Sequence, residues 1–226
     1  MNKNAIIFDM DGTMWDTTEA ILPVWNEVLQ KYSGETSKQI SKSEMDSYMG
    51  KTLEQIARLS LPELDIKRSL EILGECCKAE CKSLEQNGAV IYPELIDTLK
   101  TLKEKYTLLI VSNCQDGYIQ AFLNHYNLCE VFDDIEFAGR TGKTKGENIK
   151  LIMERNNVDK AVYVGDTQSD FDAAKFAGTE FIFAEYGFGN AECYKYSIKE
   201  FSDLLSVTDN IFNNLYANCN SKLKQN

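Results

Sequence analysis

The chain has 226 residues, 43% hydrophobic and 26% charged, enough for one large α/β domain, or for a core of about 150 residues with a smaller insert. Twenty-four basic against 35 acidic residues give a formal net charge of −11, which leaves no basic face to follow a nucleic-acid backbone or to sit on an anionic membrane. No apolar run approaches the roughly 20 residues that cross a bilayer and nothing resembles a signal peptide, so a cytoplasmic location is expected.

The seven cysteines (Cys76, Cys77, Cys81, Cys114, Cys129, Cys193 and Cys219) are odd in number and scattered, a pattern of reduced thiols and not of a disulfide framework. Cys77 and Cys81 fall on one helical face but lack the histidines or second pair that a zinc site needs, and read as core filler.

In chain order, Ala5 to Phe8 is a short apolar run that reads as a strand buried on both faces. It ends in Asp9-Met10-Asp11-Gly12-Thr13, two carboxylates at i, i+2 followed by a turn. After Asp16 the strand pattern gives way to helical spacing, with Ile21, Trp25, Val28 and Tyr32, then Ser43 to Met49 and Thr52 to Leu59 parted by Gly50. Ile66, Leu70, Leu73, Cys77 and Leu84 mark a longer helix, and Asn87-Gly88 breaks it. The spacing predicts a helical insert over residues 16–88 and a core built from residues 1–15 and 89–226.

From Tyr92 the pattern alternates. Pro93 suits the first turn of a helix carrying Leu95, Ile96, Leu99 and Leu102. Tyr106 to Val111 reads as a strand ending at Ser112-Asn113, followed by a helix with Ile119, Phe122, Leu123 and Tyr126 on one face. Phe132 to Ala138 reads as a weaker strand, Gly146 to Asn156 as a helix, Ala161 to Val164 as a strand and Gln168 to Ala177 as a helix. Phe181 to Ala184 is expected to be the last strand, and the tail from Ser197 is expected to be helical, fraying after Asn218. Strands alternating with helices predict an α/β fold, a Rossmann-like parallel sheet flanked by helices, with a small all-α domain inserted.

In such a sheet, ligands bind beyond the carboxyl ends of the strands. Those ends supply Asp9 and Asp11, then Ser112-Asn113, then Gly165-Asp166-Thr167 with Asp170 one turn on. Lys143 and Lys145 lie in a glycine-containing loop, Gly139 to Gly146, ahead of a helix. The set suits phosphoryl transfer through a covalent intermediate. Asp9 can attack phosphorus; Asp11 can protonate the leaving alcohol and later take a proton from water. Several carboxylates without a nearby histidine favour a hard, oxygen-bound cation, hence Mg²⁺. Asp9, Asp166 and the backbone carbonyl of Asp11 are its expected ligands, with Asp170 an outer partner or occasional ligand. Thr13, Ser112, Asn113 and a lysine are expected to hold the phosphate oxygens. Either Lys143 or Lys145 could be that lysine; Lys145 is preferred because it directly precedes the predicted helix start.

Asp9-x-Asp11-Gly-Thr-x-x-Asp16, then Val111-Ser112-Asn113, then Lys145-Gly, then Val164-Gly165-Asp166-x-x-x-Asp170 resemble the four ordered motifs of the haloacid dehalogenase superfamily in its phosphatase branch. The resemblance covers about Ala5 to Ala184. It implies a Rossmann-like core and a helical cap that closes over the substrate, with Asp16 as a structural residue near the hinge. The implied activity is Mg²⁺-dependent hydrolysis of a small phosphorylated metabolite such as phosphoglycolate, a sugar phosphate or pyrophosphate.

Asp11 favours phosphatase over dehalogenase chemistry, because a halide leaves without a proton. A sugar-phosphate mutase similar to β-phosphoglucomutase is an alternative, but such enzymes usually carry a cap histidine where this chain has Thr17-Thr18-Glu19-Ala20. The single histidine, His125, lies at the end of a predicted helix and reads as structural. A non-catalytic phosphate-ligand-binding protein is a second alternative, against which the acid set is complete. Gly50-Lys51-Thr52 and Gly142-Lys143-Thr144 resemble the end of a P-loop, but the glycine needed five residues earlier is Met45 in one and Phe137 in the other. Gly50, Lys51 and Thr52, at a break between insert helices, are candidates to meet the leaving group, with Lys51 suiting a second negative charge. Cys114, beside Asn113, reads either as an oxidation-sensitive thiol near the site or as an inert buried one. A monomer or a homodimer would both suit the chain.

Overall fold

Ala5, Ile6, Ile7 and Phe8 have no exposed surface, which a strand achieves only in the middle of a sheet covered on both sides. The computed structural model describes residues 3–223, with side chains to Leu215, and in it β1 (Asn4–Phe8) is that central strand. It pairs in parallel with β4 (Thr107–Ser112) on one side and β6 (Lys160–Gly165) on the other. Beyond them lie β5 (Asp134–Phe137), β7 (Glu180–Ala184) and β8 (Tyr196–Ile198), giving a parallel sheet of order β5-β4-β1-β6-β7-β8.

The two-residue period of a strand divides the core into two layers. Ile6, Phe8, Leu108, Ile110 and Val162 face one cluster, with Leu99 of α5 (Leu95–Lys103), Phe122 of α6 (Tyr118–His125) and Ile211 of α10 (Leu204–Leu223). Ala5, Ile7, Leu109, Val111 and Tyr163 face the other, with Ile149 and Ile152 of α8 (Lys145–Arg155) and Ala173 and Ala174 of α9 (Gln168–Ala177).

Between β1 and α5 the chain leaves the sheet. β2 (Trp15–Asp16) and β3 (Val90–Ile91) form an antiparallel ribbon. From that ribbon project α1 (Thr18–Gln30), α2 (Lys42–Tyr48), α3 (Leu53–Ser60) and α4 (Ile66–Asn87). α1 packs on α4 through Ile21, Trp25, Val28, Ile72, Leu73 and Cys76. Ser41 and Thr52 start α2 and α3 with reciprocal capping boxes, and Gly88 ends α4 at a positive φ of 68°, where a Cβ would be strained.

Several boundaries differ from the sequence reading. Phe181–Ala184 is not the last strand: Tyr196–Ile198 adds a sixth, and the tail becomes helical only from Phe201. β8 is three residues long and follows an exposed loop, so it carries too little periodicity to be seen. Pro93 lies outside α5, which Glu94 enters from a left-handed conformation. The stretch Gly139 to Gly146 contains a helical turn, α7 (Ala138–Thr141), and Lys145 is the first residue of α8 because Thr144 makes the capping box with Glu147. The helix of α10 continues to Leu223; the side chains for which fraying after Asn218 is expected lie outside the described residues. No described helix is long and apolar enough to cross a membrane.

Candidate active site

The site forms where β1 and β6 end side by side. The backbone N–H of Asp9 still donates to the Val164 carbonyl, 2.9 Å away, after which the Met10 carbonyl accepts from Thr13 and Met14 and turns the chain sharply. Gly12 has φ +75°, and a Cβ there would lie 2.1 Å from Asp166 Oδ2; only glycine allows the first turn to approach the second so closely. Gly187, after β7, closes the opposite side, where a Cβ would lie 2.3 Å from that of Asp166.

This convergence brings carboxylate oxygens of Asp9, Asp166 and Asp170 within 4.8 Å of one another, all three residues buried. Lys145 reaches in from the N-terminus of α8, its Nζ 2.9 Å from Asp9 Oδ2 and 2.6 Å from Asp170 Oδ1. Asp170 Oδ2 accepts from the Thr167 N–H and hydroxyl and the Asp166 N–H at 3.0, 2.6 and 3.2 Å. Asp166 Oδ2 accepts from the N–H groups of Phe188 and Gly189 at 2.8 and 3.3 Å. Asp9 Oδ1, Asp166 Oδ1 and Thr13 Oγ1 are buried without a hydrogen-bond partner.

Three buried carboxylates share one ammonium, so the pocket is short of positive charge. Burial, opposed by Lys145, raises Asp9 above the usual carboxylate range; burial and then the charges of Asp170 and Asp9 raise Asp166. For Lys145, burial works against the charge, but Asp170 and Asp9 outweigh it and hold the ammonium protonated. Orphaned buried oxygens in an all-oxygen set, with no histidine or thiolate, fit a hard divalent cation.

Asp11 faces elsewhere. Its Oδ1 accepts from Tyr118 OH at 2.5 Å and Thr17 Oγ1 at 3.0 Å. Burial pushes Asp11 up to about 7, with the Tyr118 and Thr17 bonds acting against the rise. Its side chain is therefore not part of the acidic cluster, and a metal role for Asp11 reduces to the backbone carbonyl named above.

The remaining candidates separate. Ser112, at the end of β4, is buried beside the cleft. Asn113 donates its Nδ2 to the Gly50 carbonyl at 2.9 Å, tying the core to the helical unit. Lys51 is exposed, with its ammonium on the Ser47 carbonyl at 2.6 Å. The Thr52 hydroxyl accepts from the Gln55 N–H and so caps α3. Lys143 is exposed, whereas Lys145 is buried on Asp9. Burial, then Asp11, pushes the Cys114 thiol well above its ordinary value, an unreactive state. His125 places Nδ1 3.0 Å from the Glu85 carbonyl, as a structural residue would.

Above the strand ends, the helical unit covers a cleft with apolar side chains including Ile21, Trp25, Met49 and Leu53. One carboxyl stands among them. Glu80 of α4 is 4% exposed and accepts from Trp25 Nε1 at 2.8 Å. Burial raises it to about 8, with Trp25 and Gln115 hydrogen bonds opposing and the Asp11 charge adding to the rise. Sequence reasoning missed Glu80, Thr17, Tyr118, and the Phe188 and Gly189 amides. Two left a signal: Glu80 interrupts the apolar stripe Leu73, Cys77, Leu84, and Gly187-Phe188-Gly189 follows a strand. Tyr118 left none, since it meets Asp11 only across 107 residues of chain.

Comparison with known proteins agrees with this geometry. Residues 6–184 match the family described as haloacid dehalogenase-like hydrolase. The chain is 27% identical to a phosphoglycolate phosphatase of Aquifex aeolicus, over 91% of this chain and 96% of the relative. It is 27% identical to a phosphorylated carbohydrates phosphatase of Thermotoga maritima, over 79% of this chain and 83% of the relative. A solved haloacid dehalogenase-like family hydrolase from Streptococcus pneumoniae superposes with a TM-score of 0.76 at 23% identity, covering 90% of this chain and 97% of that one. With its acids at the ends of adjacent parallel strands and this match over most of its length, the chain belongs to the haloacid dehalogenase-like hydrolases, in their phosphatase branch.

Proposed function

We propose that this phosphatase is a Mg²⁺-dependent hydrolase of a small phosphorylated metabolite, working through an aspartyl-phosphate on Asp9. The observation that carries the reading is the different surroundings of two neighbouring acids. Asp9 sits among Asp166, Asp170 and Lys145 with Oδ1 unpartnered, while Asp11 is held by two hydroxyls and titrates near neutrality. A nucleophile and a general acid–base need that division.

In the first step a carboxylate oxygen of Asp9 attacks phosphorus, the bond from phosphorus to the leaving oxygen breaks, and Asp11 gives its proton to that oxygen. In the second, Asp11 takes a proton from water as the water oxygen attacks, and the bond to Asp9 breaks to release phosphate. Asp9, Asp166 and the Asp11 carbonyl, with Asp170 behind or beside them, would hold the cation, which when bound offsets charge on the phosphoryl oxygens. Lys145, Ser112 and Thr13 are the groups we assign to the remaining oxygens, the Asn113 amide being taken up by the Gly50 carbonyl. The helical unit, residues 16–88, is read as a cap on the core of residues 1–15 and 89–226. Scattered cysteines, free at the described positions, favour a reducing, cytoplasmic location.

The test is phosphate release from a panel of phosphate esters and pyrophosphate, with Mg²⁺ and with EDTA, for the native chain and Asp9→Asn. Release that needs Mg²⁺ and is lost in the variant is the expected result. Metal-independent release, or an active variant, would overturn the assignment.

A further inference from the structure

The geometry points to a particular leaving group: an alcohol that brings a hydrogen-bond donor, a hydroxyl or an ammonium, to Glu80 and carries no second anionic group. The inference rests on the phosphatase reading above and concerns the other end of the substrate.

The positive charge available for anions lies at the phosphoryl end. Lys145 is buried on Asp9 and Asp170, below the strand ends. On the helical side, Lys51 is the one cation among the described residues lining the cleft; it is exposed and its ammonium lies on the Ser47 carbonyl. The helical wall is otherwise mostly apolar, from Ile21, Trp25, Met49 and Leu53, with the Tyr48 hydroxyl and a single buried carboxyl among them, while Asn113, Gln115 and Tyr118 line the cleft from the core. A second carboxylate or phosphate would have to leave water for apolar walls that already hold Glu80 and face Asp11, with no buried cation to pair it.

Glu80, by contrast, is set to accept. Trp25 Nε1 fixes one oxygen of the carboxyl at 2.8 Å, so its orientation is determined before substrate arrives. Trp25 leaves other positions on the carboxyl unfilled; burial keeps a proton on Glu80 near neutrality, and an ammonium brought beside it favours the ionised form and pairs with it. A hydroxyl or ammonium on the leaving group would complete the set, while its carbon chain packs on the apolar wall. A site built around a buried polar group discriminates strongly against a ligand that leaves that group mismatched. Lys51 alone would have suggested the opposite preference, for a doubly anionic substrate.

Two small esters of similar size separate the cases: O-phosphoethanolamine ends in an ammonium and phosphoglycolate in a carboxylate. With Mg²⁺ present, kcat/KM of the native chain is measured for both, for glycerol 1-phosphate, and for p-nitrophenyl phosphate as a generic ester. The better of phosphoethanolamine and glycerol phosphate is expected to exceed phosphoglycolate by about 10-fold or more. In Glu80→Gln the ratio of phosphoethanolamine to phosphoglycolate is expected to fall at least about 5-fold, since the amide keeps the shape but cannot ionise to pair the ammonium. Phosphoglycolate as good as or better than the others on the native chain overturns the inference, and that comparison needs no variant to fold. An unchanged ratio in the folded variant overturns the role of Glu80. If p-nitrophenyl phosphate is hydrolysed while phosphoglycolate is preferred, the inference alone fails. If no ester releases phosphate, the phosphatase reading fails and the inference with it.

Discussion

The two walls of the cleft are built on different physical terms. The core wall is polar and is placed by backbone: Asp9 and Asp166 leave adjacent parallel strands, and Asp170 and Lys145 occupy first turns of helices. Its geometry follows from strand spacing, tight turns and capping, all short-range devices. The helical wall is mostly apolar and is placed by side-chain packing of α1 on α4, with Glu80 held by an indole 55 residues away. In this reading, the first wall is suited to fixing a reaction and the second to choosing among substrates, because helix packing tolerates substitution where turn geometry does not.

The largest test of that division is Asp9→Asn. It is expected to lower turnover by about 10⁴-fold or more and to abolish a trapped phosphoenzyme, with the circular dichroism spectrum unchanged. Retained phosphoenzyme would move the nucleophile off the core wall.

Asp11→Asn is expected to cost about 10² to 10⁴-fold in both formation and hydrolysis of the intermediate. Because Asp11 titrates at about 7, single-turnover formation of the phosphoenzyme, which needs the protonated acid, should fall as pH rises through neutrality. The Tyr118 hydroxyl acts to lower that value, so Tyr118→Phe should move the falling limb to higher pH. A limb that moves the other way, or not at all, would separate Asp11 from the proton transfers.

Glu80 supplies a contrast on the helical wall that is read in stability. Its pKa, raised from 4.5 to about 8 by burial, means the folded state holds a proton that the unfolded chain releases above 4.5. Stability should therefore decline by up to about 1.4 kcal/mol per pH unit between those values, and level off above about 8. Urea midpoints from pH 5 to 8 should show that decline in the native chain and a shallower one in Glu80→Gln. Parallel curves would show that Glu80 does not carry it.

The smallest expected effect lies at the joint between the walls. Asn113→Ala removes the hydrogen bond to the Gly50 carbonyl, worth about 1 kcal/mol, and should raise KM several-fold while moving kcat less. A fall in kcat alone would give Asn113 to the chemistry and not to the joint.

Much of the core wall was legible in the sequence. Asp9, Asp11, Ser112, Asp166, Asp170 and Lys145 each stand at a strand end or helix start that local patterning predicts; the structure brings Asp9, Asp166, Asp170 and Lys145 to one point and sets Asp11 and Ser112 along the cleft beside Asp9. Lys145 was found for a partly mistaken reason: it opens α8 and does not precede it, and Thr144 is the cap. Gly50, Lys51 and Thr52 were legible as a break between helices, but a break does not say what its side chains do. Thr52 caps a helix and Lys51 bonds its own preceding turn.

The sequence by itself determined most of the succession of strands and helices, the helical stretch between the first two sheet strands and the acids at the strand ends, because each rests on patterns within a few residues. Tertiary structure alone decided that Tyr118 holds Asp11, that Gly187 and the Phe188 amide close around Asp166, and that Glu80 stands buried above the strand ends. Those contacts join residues far apart in the chain, and their burial, which sets the charge state of each acid, exists only once the sheet and the helical unit have packed together.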